Sequence, residues 1–185
     1  MYKENNIAKS KKVEEAIVSM SKGGIDAMDI LYPLIKTDIF SFALSRVLNQ
    51  FDADDITQET FIKIYQNAKL YTPQGKPMAW IIRIEENVIN QFFNNKKKYQ
   101  HLEESSVVSE NNETFNEKAE LIKELFKDLD EEEKKIISMH LVSSLKFKEI
   151  SKILEKPLST VLSKYNRAIK KIQRNVKENN RYEQI

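Results

Sequence analysis

Apolar residues recur along this chain at helical spacing almost from end to end. Val161, Tyr165, Ala168 and Ile172 fall at i, i+4, i+7 and i+11, a stripe that one face of a helix would bury. Phe147, Ile150, Ile153 and Leu154 form a shorter stripe before it. Phe61, Ile64, Tyr65 and Ala68 make another, and Trp80, Ile81, Ile84 and Val88 a further one, with Phe92 and Phe93 expected in the core. Breaks separate these runs. Gly23–Gly24, "YTPQGKP" from Tyr71 to Pro77, and "EKP" ahead of Leu158 cannot continue a helix.

The pattern predicts an all-α protein of two small helical domains joined by a flexible acidic linker. The N-terminal helical block runs from about Lys12 to Lys98 and includes a helix from Met78 to Asn94. The segment "HLEESSVVSENNETFNE", rich in Ser, Asn and Glu, has too few apolar residues to pack and reads as a tether. A second helical block follows. The boundaries expected are 1–98, 99–117 and 118–185.

Composition narrows the function. The absence of cysteine excludes disulfides and thiolate metal sites and fits a reducing compartment. No apolar run approaches the roughly 20 residues of a membrane span, and the polar N-terminus does not read as a signal peptide, so a cytoplasmic protein is expected. Net charge is only +2, but it is unevenly spread. Leu102 to Glu133 holds twelve acids against three lysines, whereas Leu145 to Arg181 holds eleven cations against three acids. A chain divided this way offers one face to nucleic acid and another to something else.

The basic block carries the most specific local pattern, a helix-turn-helix. Pro157 ends the first helix, and Ser159 or Thr160 is placed to cap the second. Opposite the apolar stripe of that second helix stand Ser163, Lys164, Arg167, Lys171 and Arg174. Short polar and long cationic side chains on one face suit base edges and phosphates in a duplex.

The stretch "DADDITQETFIKIYQNAKLY" poses a different problem. Asp52, Asp54, Asp55 and Glu59 crowd together without a nearby histidine or the glycine-bearing spacing of a calcium loop, so a metal site is not expected. Asp52 or Asp54 suits a helix cap. Asp55, Gln58, Glu59, Ile62 and Gln66 fall opposite the apolar stripe, and an exposed isoleucine among polar groups is more typical of a protein interface than of a solvated face.

Two halves of the chain resemble one family. "DDITQETFIKIY" and "AWIIRIEEN" are similar to the core-binding and promoter-melting domain of sigma factors, the specificity subunits of RNA polymerase. "LDEEEKKIISMHLVSSLKFKEISKILEKPLSTVLSKYNRAIKKI" is similar to the domain that reads the minus-thirty-five element in that family, in its small two-domain extracytoplasmic-function group. The resemblance implies core polymerase binding through Asp55, Gln58, Glu59 and Ile62. It implies capture of the minus-ten strand by Asn87, Asn90, Gln91, Lys96 and Lys97, with Asn87 nearest the family's base-capturing loop. Duplex contacts at minus thirty-five would come from Ser159, Thr160, Ser163, Lys164, Arg167, Lys171 and Arg174.

The implied partners are core RNA polymerase and promoter DNA, with an anti-sigma protein a fair expectation. No cofactor, metal, small-molecule substrate or catalytic residue is expected; His140 reads as a packed histidine, and His101 lies in the tether. Two departures stand out. Glu85 and Glu86 occupy positions where the family shows small or basic residues, and Leu162 sits where a cation is common. Glu85 and Glu86 favour an alternative, a degenerate sigma-like regulator that binds without initiating. A stand-alone helix-turn-helix regulator is a third reading, against which the N-terminal block argues.

Overall fold

The computed structural model describes residues 2–24, 26–100 and 121–182; of the linker expected over 99–117, residues 99 and 100 are helical and 101–117 lie outside the described residues. Helices α1 (Tyr2–Ser21), α2 (Ala27–Val47), α3 (Gln50–Asn67) and α4 (Pro77–Gln100) build the N-terminal half, with a single 3-10 turn at Ala68–Leu70. Residues 121–126 are helical. Then come α5 (Glu131–Ile137), which runs into a π-helical turn at Ser138–Val142, α6 (Phe147–Ile153) and α7 (Leu158–Tyr182). No strand occurs among the described residues, so the all-α expectation stands.

The breaks fall where backbone chemistry requires them. Gly23 adopts φ +88°, and a Cβ on Gly24 would lie 2.3 Å from the Ser19 Oγ, so α1 stops against its own last turn. Leu48 closes α2 in the left-handed region at φ 54°, donating its N–H to Leu44 O at 2.9 Å. The cap of α3 is Asn49, whose side chain accepts the Asp52 N–H at 3.0 Å. Asp52 and Asp54 therefore lie inside the helix rather than capping it, with Asp52 in the first turn beside the positive helix end. Pro77 opens α4, where its missing N–H costs nothing. Likewise α7 begins at Leu158, so Ser159 and Thr160 sit within its first turn instead of capping it.

In the N-terminal half, Val13, Ile17, Leu31, Ile35, Ile39, Ile64 and Ile81 are fully buried between the four helices. Helix α1 starts ten residues earlier than its apolar pattern suggests, and Glu14 explains part of its attachment. One carboxylate oxygen of Glu14 accepts from the Tyr71 hydroxyl at 2.7 Å and from the Gln74 and Gly75 amides at 3.0 and 2.9 Å. The Tyr71 hydroxyl, as donor, holds the Glu14 carboxyl below its usual range.

The second core is shared between the halves. Phe42, Ala43, Ile82 and Ile89 meet Ile136, Met139, Leu145, Ile150 and Val161 in one apolar cluster. The two helical domains are thus packed on each other, not merely tethered. Each fully buried Ile or Phe contributes on the order of 1.5–3 kcal/mol of hydrophobic stabilisation. His140 is packed, as expected: its ring stacks on Phe147 at 4.2 Å and meets Tyr165 edge-on at 5.1 Å. Its Nδ1 lies 2.9 Å from the Leu145 carbonyl, which can only accept, so that nitrogen carries the proton.

Candidate protein and nucleic-acid interfaces

Helix α3 buries Ala53, Ile56, Thr57, Thr60, Phe61 and Ile64. Its outward side is not purely polar. Phe51 (63% exposed), Asp55, Gln58, Ile62 (49%) and Tyr65 (63%) succeed one another at i, i+4, i+7, i+11 and i+14. Tyr65 had been expected in the core, but at roughly 100° per residue it lies one turn beyond Ile62 on the outer stripe. Tyr32 of α2 widens the patch, stacked at a tilt on Phe61 at 4.7 Å with the Lys36 ammonium 5.2 Å from its ring. Large apolar side chains held rigidly among acids and amides are the composition of a protein interface. Glu59 is half-exposed and pairs with Lys63 at 3.3 Å. Sequence reading missed Phe51 and Tyr65; extending the Asp55–Gln58–Ile62 spacing in both directions would have found them.

A shallow groove of about 240 Å³ separates α3 from α4, and it brings Asp55 and Glu59 beside Gln91, Phe92 and Asn95. On α4, Asn87 and Gln91 are exposed. Asn90 is not free, because its Oδ1 accepts from the Lys135 ammonium at 2.8 Å. Lys96 is exposed, pairs with Asp52 at 3.3 Å and lies 5.4 Å from the Phe92 ring. The side chain of Lys97 lies outside the described residues. Trp80 packs as expected, against Tyr71 at 5.0 Å.

Glu85 and Glu86 point inward. Glu85 is 0% exposed, and neither of its oxygens has a hydrogen-bond partner. Burial, reinforced by the neighbouring Glu86, pushes its carboxyl well above the usual range. Glu86 is 4% exposed and meets Lys135 of α5 at 2.6 Å.

The helix-turn-helix is locked by local chemistry. Asp130 and Glu133 form a reciprocal capping box at the start of α5. Glu155 takes φ 53° to turn the chain between α6 and α7, and Ser151 Oγ donates to the Lys156 carbonyl at 2.6 Å. Val161 and Ala168 are buried under α7, with Tyr165 and Ile172 half-buried beside them, so the predicted inward stripe is present.

The basic face is divided in two. Lys164 reaches Asp130 and Glu132, each at 3.0 Å; Lys171 reaches the buried Glu133 at 2.7 Å; Arg174 reaches Asp128 at 2.7 Å. Lys156 joins Glu132 at 2.9 Å. The Lys156 and Lys164 ammonium groups hold the Glu132 carboxyl below its usual range. Burial pushes Asp130 up, but the Glu133 amide and Lys164 outweigh it and its carboxyl also lies low. The face left open is Ser159, Leu162, Ser163, Asn166, Arg167 and Lys170, which recur at i, i+3, i+4, i+7, i+8 and i+11. Asn166 and Lys170 were missed by sequence reading, since only the position of the acidic segment decides which cations stay free. Thr160 is half-buried. No cluster of His, Cys, Asp or Glu suited to a metal occurs among the described residues, and no helix of the described chain is long and apolar enough to cross a membrane.

Two family models match the chain: Sigma-70 region 2 over residues 31–99 and Sigma-70, region 4 over residues 119–172. Among curated proteins, the ECF RNA polymerase sigma factor SigW of Bacillus subtilis is 22% identical over 90% of this chain and 97% of its own length. RNA polymerase sigma factor YlaC of the same organism is 21% identical over 86% of this chain and 98% of its own. Among solved structures, CnrH in complex with the cytosolic domain of CnrY superposes with a TM-score of 0.72 at 16% identity, covering 89% of this chain and 97% of that one. The sigma factor RpoE in complex with the anti-sigma factor NepR from Bartonella quintana gives a TM-score of 0.65 at 18% identity, over 83% and 98%. These likenesses are to the fold of two packed helical domains.

Proposed function

Because the chain belongs to the sigma-70 family, in its extracytoplasmic-function group, we propose that it directs initiation at a specific set of promoters through three separate surfaces. The α3 stripe of Phe51, Asp55, Gln58, Ile62 and Tyr65, flanked by Glu59, docks on core RNA polymerase. Asn87 and Gln91, with Asn90 and the α4 lysines Lys96 and Lys97, take the opened minus-ten strand. The open face of α7, from Ser159 to Lys170, reads the minus-thirty-five duplex, with Lys164, Lys171 and Arg174 at its acid-paired margin.

The observation that carries this reading is the division of labour on the surface. A mixed apolar and acidic stripe suits a protein, whereas amides beside cations suit a displaced strand. A polar and cationic helix face braced by a helix-turn-helix suits a duplex groove. A stand-alone duplex binder would have no use for the first. Core polymerase and promoter DNA are the partners of the family. Residues 1–98 and 118–185 are assigned as the two working domains. The solved relatives bound to CnrY and NepR support an anti-sigma protein as a further partner. In the packed arrangement Glu85 and Glu86 face protein rather than DNA, which removes the feature that favoured a degenerate regulator.

Run-off transcription tests the reading directly. Core polymerase with this protein is expected to yield discrete transcripts from genomic promoter fragments, and Asp55→Arg combined with Ile62→Ala to abolish them. Tight duplex binding by the chain alone, with no affinity for core, would overturn the proposal.

A further inference from the structure

A cavity of about 530 Å³ lies where α2, α4 and α5 converge beside the helical 121–126 segment. Its charge is one-sided. Arg46, Lys123, Lys127, Lys134 and Lys135 line it, against the carboxylate of Glu131 alone among the described residues. Glu86 answers Lys135 at 2.6 Å, and Glu131 answers Lys134 at 2.9 Å. Arg46 is different. Its side chain is 2% exposed and stands 3.9 Å from Glu131, longer than a hydrogen bond. Its Nε and Nη1 are buried with no partner among the described residues.

Withdrawing a guanidinium from water is costly unless an anion and hydrogen-bond acceptors replace the solvent. Acceptors are what the wall around Arg46 lacks. The planar fork of an arginine fits two oxygens of a phosphate or of a carboxylate. A single carboxylate would leave the cavity strongly positive, because lysines from two further elements face the same space. The ligand that balances this lining carries more than one negative charge, which points to linked phosphates.

The remaining lining asks for more than an inorganic anion. Phe93 and Phe126 are half-buried on the same cavity, and Phe93 is braced edge-on by Phe92 at 5.7 Å. Aromatic faces of this kind stack on nucleobases. The side-chain amides of Asn90 and Asn94 stand beside them. Asn90 Oδ1 accepts from the Lys135 ammonium, which leaves its NH₂ group to donate to a base edge. The volume falls within the roughly 300–1,000 Å³ of small-molecule sites. It suits one nucleotide rather than a strand.

We propose that this cavity binds a free nucleoside polyphosphate, with its phosphates on Arg46 and Lys134 and its base on the Phe93–Phe126 wall. The site lies apart from the α3 stripe and from the open face of α7, and it shares only Asn90 with the strand-capturing set. It therefore stands or falls independently of the initiation reading.

Titration calorimetry of the full chain with ADP, pyrophosphate and adenosine tests it, in a buffer free of phosphate. ADP should bind saturably with a Kd below about 1 mM. Pyrophosphate should bind about tenfold more weakly for want of a stacked base, and adenosine should give no heat. Arg46→Met should weaken ADP about tenfold or more through loss of the bidentate contact, with unchanged helical circular dichroism. Should that variant not fold, Lys134→Met is the second test and should weaken ADP severalfold. No saturable ADP binding up to about 5 mM would overturn the site. Undiminished affinity in the Arg46→Met or Lys134→Met chain would reduce it to diffuse attraction by surface lysines. Equal affinity for ADP and pyrophosphate would overturn the nucleotide assignment. Displacement of ADP by a short single-stranded DNA that binds more tightly would assign the cavity to a strand instead.

Discussion

Replacing Glu85 by methionine should stabilise the protein, and the gain should grow with pH. The carboxyl is 0% exposed, lacks any partner for either oxygen, and sits one turn from the fully buried Ile81, Ile82 and Ile89. A buried polar group left unsatisfied costs about 1–3 kcal/mol, more when charged. Methionine has a similar length and volume, so the repacking term is small. No solvent screening reduces the effect at a site this enclosed.

The folded protein holds the Glu85 proton at pH values where the unfolded chain, with its ordinary value of 4.5, has released it. Stability from this group is therefore complete below pH 4.5 and declines as pH rises toward the elevated folded value. Glu85→Met removes that decline. At pH 7 the variant should gain about 1–3 kcal/mol, which for a chain of this size raises Tm by roughly 2–10 °C. Urea titrations followed by circular dichroism at pH 5, 7 and 8 would measure both the gain and its slope. A variant less stable than wild type at all three, by a constant amount, would show that the carboxylate is satisfied as an anion and refute the reasoning.

Other outcomes follow from the same geometry. Asn49→Ala removes the only side-chain cap of α3 and should cost about 1 kcal/mol in thermal unfolding. Ile62→Ala and Tyr65→Ala should each weaken binding to core polymerase about tenfold or more in a competition assay while leaving Tm unchanged, because both side chains are largely in solvent. Asp130 and Glu132 have carboxyls held low in the folded protein, so their contribution is complete above the ordinary values of 3.8 and 4.5 and is lost as pH falls below them. Acid titration of a Lys164→Met variant, followed by circular dichroism, should show a shallower loss than the wild-type chain. Arg167→Ala should lower affinity for minus-thirty-five duplexes and reduce the salt dependence by about one phosphate contact.

Much of the fold could be read from apolar spacing because helices α2, α3, α4, α6 and α7 each bury a stripe against a neighbour close in sequence. The open stripe of α3 was half visible for the same reason. What escaped were features set by distant partners. Tyr65 has the apolar character of a core residue, and only the placement of α2 and α4 on the other side of α3 leaves it outside. Lys164 and Lys171 belong to a basic helix in the sequence, yet Asp130, Glu132 and Glu133, some thirty-odd residues earlier, draw them away from the open face. The cap of α3 was misplaced by three to five residues because Asn49, Asp52 and Asp54 all suit the role chemically, and only Asn49 has the extended backbone of a cap. Glu86 looked out of place beside DNA because its partner, Lys135, lies in the other half of the chain, and Glu85 because it is buried rather than facing solvent.

The hydrogen bonds on Glu14 make the smallest heritable unit and the smallest mechanical unit different things. The family match begins at residue 31, beyond the end of α1. Yet a single carboxylate of α1 grips three groups of the 71–75 turn, which sets where α4 starts and hence the angle at which Asn87 and Gln91 are presented. Helix α1 acts as a strut, and a change in it would be felt at α4 and at the exposed amides it carries. Sequence divergence before residue 31 can therefore shift the set of α4 while every residue matched by the family stays the same.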